Sequence, residues 1–279
     1  MGIRPVSNVY ERAVIGLGRG LCGTRPGLVL SRSGAVSDYI DNLIPETNVA
    51  WFRAELEAGD GRELEGKFRA AHSSSALAVN GFARFKMDKT QLRLGAWSGF
   101  DDFQFEAKCP TGIRGRKAPN LDLLATSASR IVGVESKCTE YLRGKDAVFS
   151  QAYDDQITDS RRQSAWFRAM QDLIAKPRSY EHLDAAQLVK HAFGLSHCFP
   201  DKPVVLLYLY WEPVNAGDFP EFVRHRDEVD RFSRTVAAAS PAFASITYRD
   251  LWQLWASSAL PAWLLHHVTA LRARYEIVI

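Results

Sequence analysis

Residues Val204–Trp211 (VVLLYLYW) form an unbroken apolar run of strand length, bounded by Pro203 and Pro213. A strand with one wet face alternates apolar and polar side chains; a run without alternation is covered on both faces and sits in the middle of a parallel or mixed sheet. Such a sheet needs a helical layer on each side, which is the α/β arrangement. The other strands follow from local pattern. Phe103–Lys108 (FQFEAK) alternates and predicts a half-buried strand, while Asn120–Thr126 (NLDLLAT) and Arg130–Tyr141 (RIVGVESKCTEY) predict two more. Ala244–Thr247 reads as a last strand, with a helix behind it over Tyr248–Ser257.

Helical spacing marks Asp38–Glu57 and Glu63–Phe85, where Leu64, Phe68, Ala71, Ser75 and Val79 recur at steps of three and four. It returns beyond the strands, with Trp166, Met170, Leu173 and Ile174 on one face. The first forty residues are rich in Gly, Arg and Ser without a sustained period, and predict irregular structure with at most one short strand. No repeat or low-complexity linker divides the chain. A single α/β domain with extra helical decoration is expected: residues 1–60 as an irregular or helical extension, residues 61–279 as the core.

Composition narrows the class of partner. A net charge of +3 over 279 residues permits a polyanion without demanding one. Cys22, Cys109, Cys138 and Cys198 form no CxxC pair, so neither a zinc ribbon nor a small disulfide scaffold fits, and reduced thiols in the cytoplasm are expected. No apolar run reaches the roughly 18 residues of a membrane helix, and the N-terminus lacks a signal-peptide layout.

The chemistry concentrates in Pro119–Glu140 (PNLDLLATSASRIVGVESKCTE). Glu135 and Lys137 stand at i and i+2 of one strand and project to the same face. The loop Ser127–Arg130 is short enough to fold the preceding strand back as a hairpin, which would bring Asp122 beside them. An ExK triplet alone is usually a solvated sheet face with a weak ion pair. Here, however, Asp122 interrupts the apolar Leu121, Leu123 and Leu124, and the pair ends the apolar run Ile131–Val134. A carboxylate buried without a partner is costly. Mg²⁺ takes oxygen ligands, often one or two carboxylates, and keeps waters and substrate phosphate in its other positions.

The order strand with Asp, strand with ExK, helix, strand resembles the PD-(D/E)XK restriction-endonuclease-like superfamily. Pro119-Asn120-Leu121-Asp122 is similar to its first half, with Asn120 and Leu121 intervening, and Glu135-Ser136-Lys137 matches its second. His72–Asn80 (HSSSALAVN), Val134–Tyr141 (VESKCTEY) and Thr247–Trp252 (TYRDLW) further resemble a prokaryotic branch of restriction-endonuclease-like proteins. The resemblance implies a mixed central sheet flanked by helices. It implies that Asp122, Glu135 and the Ser136 carbonyl hold Mg²⁺, with Mn²⁺ substituting, and that Lys137 assists the nucleophile. Many members add a glutamate from the helix before the sheet; Glu63, Glu65 and, on the preceding strand, Glu106 are the candidates.

Arg114, Arg116 and Lys117 lie in a Gly-containing loop before the Asp122 strand and are expected to contact phosphate, as are Ser73 and Ser74. Glu140 either serves the site or caps the segment after the strand. The glycines of Gly16–Gly20 lack the spacing of a nucleotide loop and read as a flexible basic segment. His191, His197 and Cys198 lack a second ligand pair and read as surface or core residues rather than a zinc site. The expected activity is Mg²⁺-dependent endonucleolytic cleavage of DNA in restriction or defence, double-stranded ahead of single-stranded, with no membrane association and a homodimer left open. The competing readings are an inactive nucleic-acid-binding or assembly module on the same fold, and a hydrolase of another phosphate ester.

Overall fold

The computed structural model describes residues 8–59, 63–113, 119–156, 162–257 and 261–279. Its centre is a five-stranded sheet in the order β1 (Asp102–Lys108), β2 (Asn120–Thr126), β3 (Ile131–Lys137), β4 (Val204–Tyr210), β5 (Ala242–Thr247). β1, β2 and β3 form an antiparallel meander, whereas β4 and β5 run parallel to β3. The apolar run does what its composition requires: every residue of β4 is buried, between β3 and β5. The result is an α/β fold with a mixed sheet flanked by helices.

Helix α1 (Val9–Thr24) packs against the last helix of the chain. The short α2 (Arg53–Glu57) lies on β1, and α3 (Ser74–Phe82) lies across β2 and β3. The connection from β3 to β4 contains α4 (Gln151–Asp154), α5 (Ala165–Ala175) and α6 (Ala185–Cys198); that from β4 to β5 contains α7 (Pro220–Thr235). After β5 come α8 (Tyr248–Ala256) and α9 (Ala262–Tyr275). One continuous core runs from Ala13 and Leu17 of α1 through the sheet to Tyr275 of α9.

Successive residues of β3 reach opposite layers, as the pleat dictates. Glu135 meets His191 of α6 on one face, and Ser136 meets Tyr248 of α8 on the other. Helix α6 can lie this close because Gly194 has no side chain. A Cβ there would fall 2.2 Å from the Cys109 carbonyl oxygen, a main-chain atom that cannot step aside. Gly194→Ala should therefore push α6 outward and destabilise the fold by about 1–3 kcal/mol, the usual range for overpacking. A melting temperature equal to that of the parent would refute this account of the close approach.

Three sequence expectations change. Residues 9–24, expected to be irregular, form a helix capped by the Asn8 side chain on Glu11 N (2.9 Å). Its glycines are contacts rather than a flexible loop. A Cβ on Gly16 would meet Ile277 Cδ1 at 2.6 Å, and one on Gly20 would meet the Arg274 carbonyl oxygen at 2.4 Å. Asp38–Glu57 resolves into 3₁₀ turns at Tyr39–Asn42 and Val49–Trp51 followed by α2. In Glu63–Phe85 the α-helix is confined to Ser74–Phe82, because Ser73 turns its hydroxyl onto Ala76 N and starts the helix there.

Candidate active site

The pairing of β2 with β3 runs from Thr126↔Ile131 to Leu123↔Val134, and regular pairing stops there. At the next position the Asp122 carboxylate takes over from the main chain, its Oδ2 accepting from Ser136 N at 2.7 Å. The Lys137 carbonyl accepts from Trp211 N on the β4 side. Main-chain groups alternate along a strand, so the Ser136 amide and carbonyl both face β2, at the point where the two strands part. Among the described residues no donor reaches Asp122 Oδ1.

Glu135 is 2% exposed, and both its oxygens have neighbours. Lys137 Nζ donates to Oε1, and His191 Nε2 lies 2.8 Å from Oε2. Lys137 Nζ also donates to Gln187 Oε1 at 2.9 Å. Gln187 and His191 are four residues apart on α6 and share a helix face. The first turn of that helix is set by Asp184, whose carboxylate caps Gln187 N at 3.0 Å. On the neighbouring strand Tyr208, the register partner of Glu135, places its hydroxyl 2.9 Å from His225 Nε2 of α7.

The electrostatics are unequal across the three motif residues. Burial and the adjacent Glu135 push Asp122 well above the usual carboxylate range, with Lys137 only partly opposing them. Glu106 adds to that push. Burial also disfavours charge on Glu135, but Lys137 and His191 outweigh it and hold its carboxyl at about 2. Burial disfavours the Lys137 ammonium too, yet Glu135, Glu140 and Asp122 keep it above its ordinary value. The site thus holds a lysine and a glutamate held charged by Lys137 and His191, beside an aspartate with more negative charge around it than it can balance.

The remaining candidates divide. Glu63 accepts from Ser75 Oγ at 2.7 Å and lines, with Lys137 and Gln187, a cavity of about 410 Å³. Glu106 accepts from Asn120 at 3.2 Å and stands in a left-handed backbone conformation, φ 49°. Glu65 is exposed and lines neither that cavity nor its neighbour. Ser73 caps α3 and lines the adjoining cavity, and Ser74 lines both. Arg114, Arg116 and Lys117 lie outside the described residues. Glu140 Oε2 accepts from Cys138 N (2.8 Å) and Thr139 N (3.0 Å), so it caps the strand end and still borders the cavity.

His191 and Gln187 were not singled out for this site from sequence. Of the trio His191, His197 and Cys198, only the first joins it; His197 lies against Gly112, and the Cys198 thiol faces the Pro110 carbonyl. Among the described residues no three His, Cys, Asp or Glu side chains form a metal-holding group. An ion here would need main-chain oxygen or water to complete its shell, which is how Mg²⁺ is commonly held. No helix among the described residues is long and apolar enough to cross a membrane.

Comparison with curated proteins and with solved structures yields no match. A family profile described as "Restriction Endonuclease associating with ARP" matches residues 23–276, and the chain belongs to that restriction-endonuclease-like family.

Proposed function

We propose that this chain is a Mg²⁺-dependent nuclease that hydrolyses phosphodiester bonds of DNA, with Asp122, Glu135 and the Ser136 carbonyl holding the ion. The observation that carries the reading is the unbalanced Asp122. Its carboxylate is half-buried beside Glu135, one of its oxygens faces no donor among the described residues, and it stands where the β2–β3 pairing ends. A divalent cation is the partner that such a group lacks, and the all-oxygen donor set suits a hard ion. When bound, Mg²⁺ lowers the pKa of a coordinated water and stabilises charge on phosphoryl oxygens.

The chain's own residues do the rest. Lys137 brings a fixed positive charge to the cavity, kept ionised by Glu135 and aimed by Gln187. An ammonium so placed pairs with a scissile phosphate and favours charge building on it. His191 orients Glu135 from the helix side. Glu63 at the cavity wall and Glu106 beside Asp122 are the two acids left to complete the set.

One observation favours the second reading, a binding or assembly module that has lost catalysis. Glu135 already has Lys137 and His191 on its two oxygens, and must give one up to ligate an ion. Melting curves separate the readings, because a ligand that binds only the folded state raises its stability. Millimolar Mg²⁺ or Mn²⁺ should raise the melting temperature of the parent and support cleavage of DNA. Asp122→Ala and Lys137→Ala should each abolish cleavage while remaining folded. Cleavage retained in both variants would sink the assignment, and a parent without any metal-induced shift would favour the inactive module.

A further inference from the structure

The cavity beside Lys137 does not end at the motif. It adjoins a second cavity of about 580 Å³, and both are lined by Glu63, Lys67, Ser74, Glu140, Arg143 and Lys145. The outer cavity ends at Tyr10 of α1 and His72, whose rings meet edge to face at 6.0 Å. The Arg143 guanidinium lies 5.0 Å over the Tyr10 ring. Lys145 is paired with Asp184, but among the described residues neither Lys67 nor Arg143 has a carboxylate within ion-pair distance.

Charge differs between the two ends. The inner cavity sets Lys67, Lys137, Arg143 and Lys145 against Glu63, Glu140, Glu181 and Asp184. The outer one sets Lys67, Arg143 and Lys145 against Glu63 and Glu140 alone. Asp122 and Glu135 stand beside Lys137 at the inner end, which therefore suits a cation, whereas Lys67 and Arg143 toward the outer end are the cations without an ion-pair partner among the described residues. A planar aromatic and guanidinium cluster sits at that outer end. A basic groove with such planes is the general solution for binding unpaired nucleic acid, where phosphates follow the cations and bases stack on the rings.

The size and depth of the groove suit a single strand better than an intact duplex. Volumes of 410 and 580 Å³ fall within the range of small-ligand pockets, about 300–1,000 Å³. Lys137 at the inner end has a side chain only 15% exposed. Duplex DNA is a stiff rod that bends at a cost, whereas an unpaired strand follows a narrow recess with its bases free to stack. Resting on the nuclease reading above, we infer that the groove from Tyr10 to Lys137 takes an unpaired DNA strand, with Lys67 and Arg143 on its phosphates and a base against Tyr10. It sets a single strand ahead of the duplex expected from sequence, and it gives α1 a part in the binding site.

The test is fluorescence anisotropy in EDTA with a labelled 20-nucleotide single strand and the corresponding blunt duplex. The full chain should bind the single strand at least tenfold more tightly. Lys67→Glu and Arg143→Glu should each weaken single-strand binding about tenfold and flatten its salt dependence. Tyr10→Ala should weaken it about fivefold or more, while Tyr10→Phe, which keeps the ring, should stay near the parent. Duplex binding as tight as single-strand binding, or charge-reversed variants indistinguishable from the parent, would overturn the inference. Chelating the metal keeps the two proposals apart. Single-strand binding through these residues without cleavage in Mg²⁺ defeats only the nuclease reading. Duplex cleavage that ignores Lys67 and Arg143 defeats only the groove.

Discussion

Asp122→Asn should leave a protein that is more stable than its parent without metal and inactive with it. The amide is nearly isosteric, and its oxygen can still accept from Ser136 N, so the end of the β2–β3 hairpin keeps its hydrogen bond. What disappears is a charge. Asp122 is raised above the usual carboxylate range by burial and by Glu135, so the folded state binds its proton more tightly than the unfolded chain does. A group whose folded pKa is raised contributes stability below its unfolded value, near 3.9, and loses it as pH climbs through the folded value. The parent loses that contribution as pH rises through the folded value, and the asparagine variant has nothing to lose. A higher melting temperature than the parent's is expected in metal-free alkaline buffer, with no further shift on adding Mg²⁺. If the ion supplies several kcal/mol of transition-state stabilisation, cleavage should fall by on the order of 10³-fold. A variant less stable than the parent, or one still stabilised by Mg²⁺, would remove Asp122 from the metal set.

How much of this arrangement could be read beforehand depended on the range of the interaction involved. The middle strand, the hairpin and the shared face of Glu135 and Lys137 rest on neighbouring residues, and all were legible from period and loop length. Helix α1 was not. Gly16, Gly18 and Gly20 look like a loop when read locally, and become a helix face only because the distant segment Arg274–Ile279 lies against Gly16 and Gly20. His191 was opaque for the same reason. It sits on an apolar helix that reads as core, and its carboxylate partner stands on a strand reached through a long helical connection. A histidine and a glutamine four residues apart on a helix that follows an ExK strand was the available signal, and it is weak by itself. Glu65 shows the converse. It matches the helix-borne glutamate implied by the resemblance as well as Glu63 does, yet the turn before α3 points only Glu63 toward the cavity.

Acid should unfold this protein through its buried histidines, His225 and His267 above all. Burial, helped by His182 and Arg226, lowers His225 to about 3; its Nε2 faces the Tyr208 hydroxyl. Burial likewise lowers His267 to about 4, against the Gly81 carbonyl, which its Nε2 approaches at 3.0 Å. Both folded values lie below the unfolded value near 6.5, so between those limits the unfolded chain binds the extra protons. Stability is therefore fully present above pH 6.5 and is lost as pH falls toward 4 and then 3. The two groups together account for several kcal/mol, a large share of the roughly 5–15 kcal/mol that holds a domain together. Asp122 works in the opposite direction over part of the window, so the Asp122→Asn background should show the steeper acid loss. His267→Gln keeps a donor for the Gly81 carbonyl and removes the titration. It should be less stable than the parent at pH 7 but flatter between pH 6.5 and 4, as followed by urea unfolding. A parent equally stable at pH 4.5 and pH 7, or a His267→Gln variant with the same slope, would show that these imidazoles are not the groups that acid must charge.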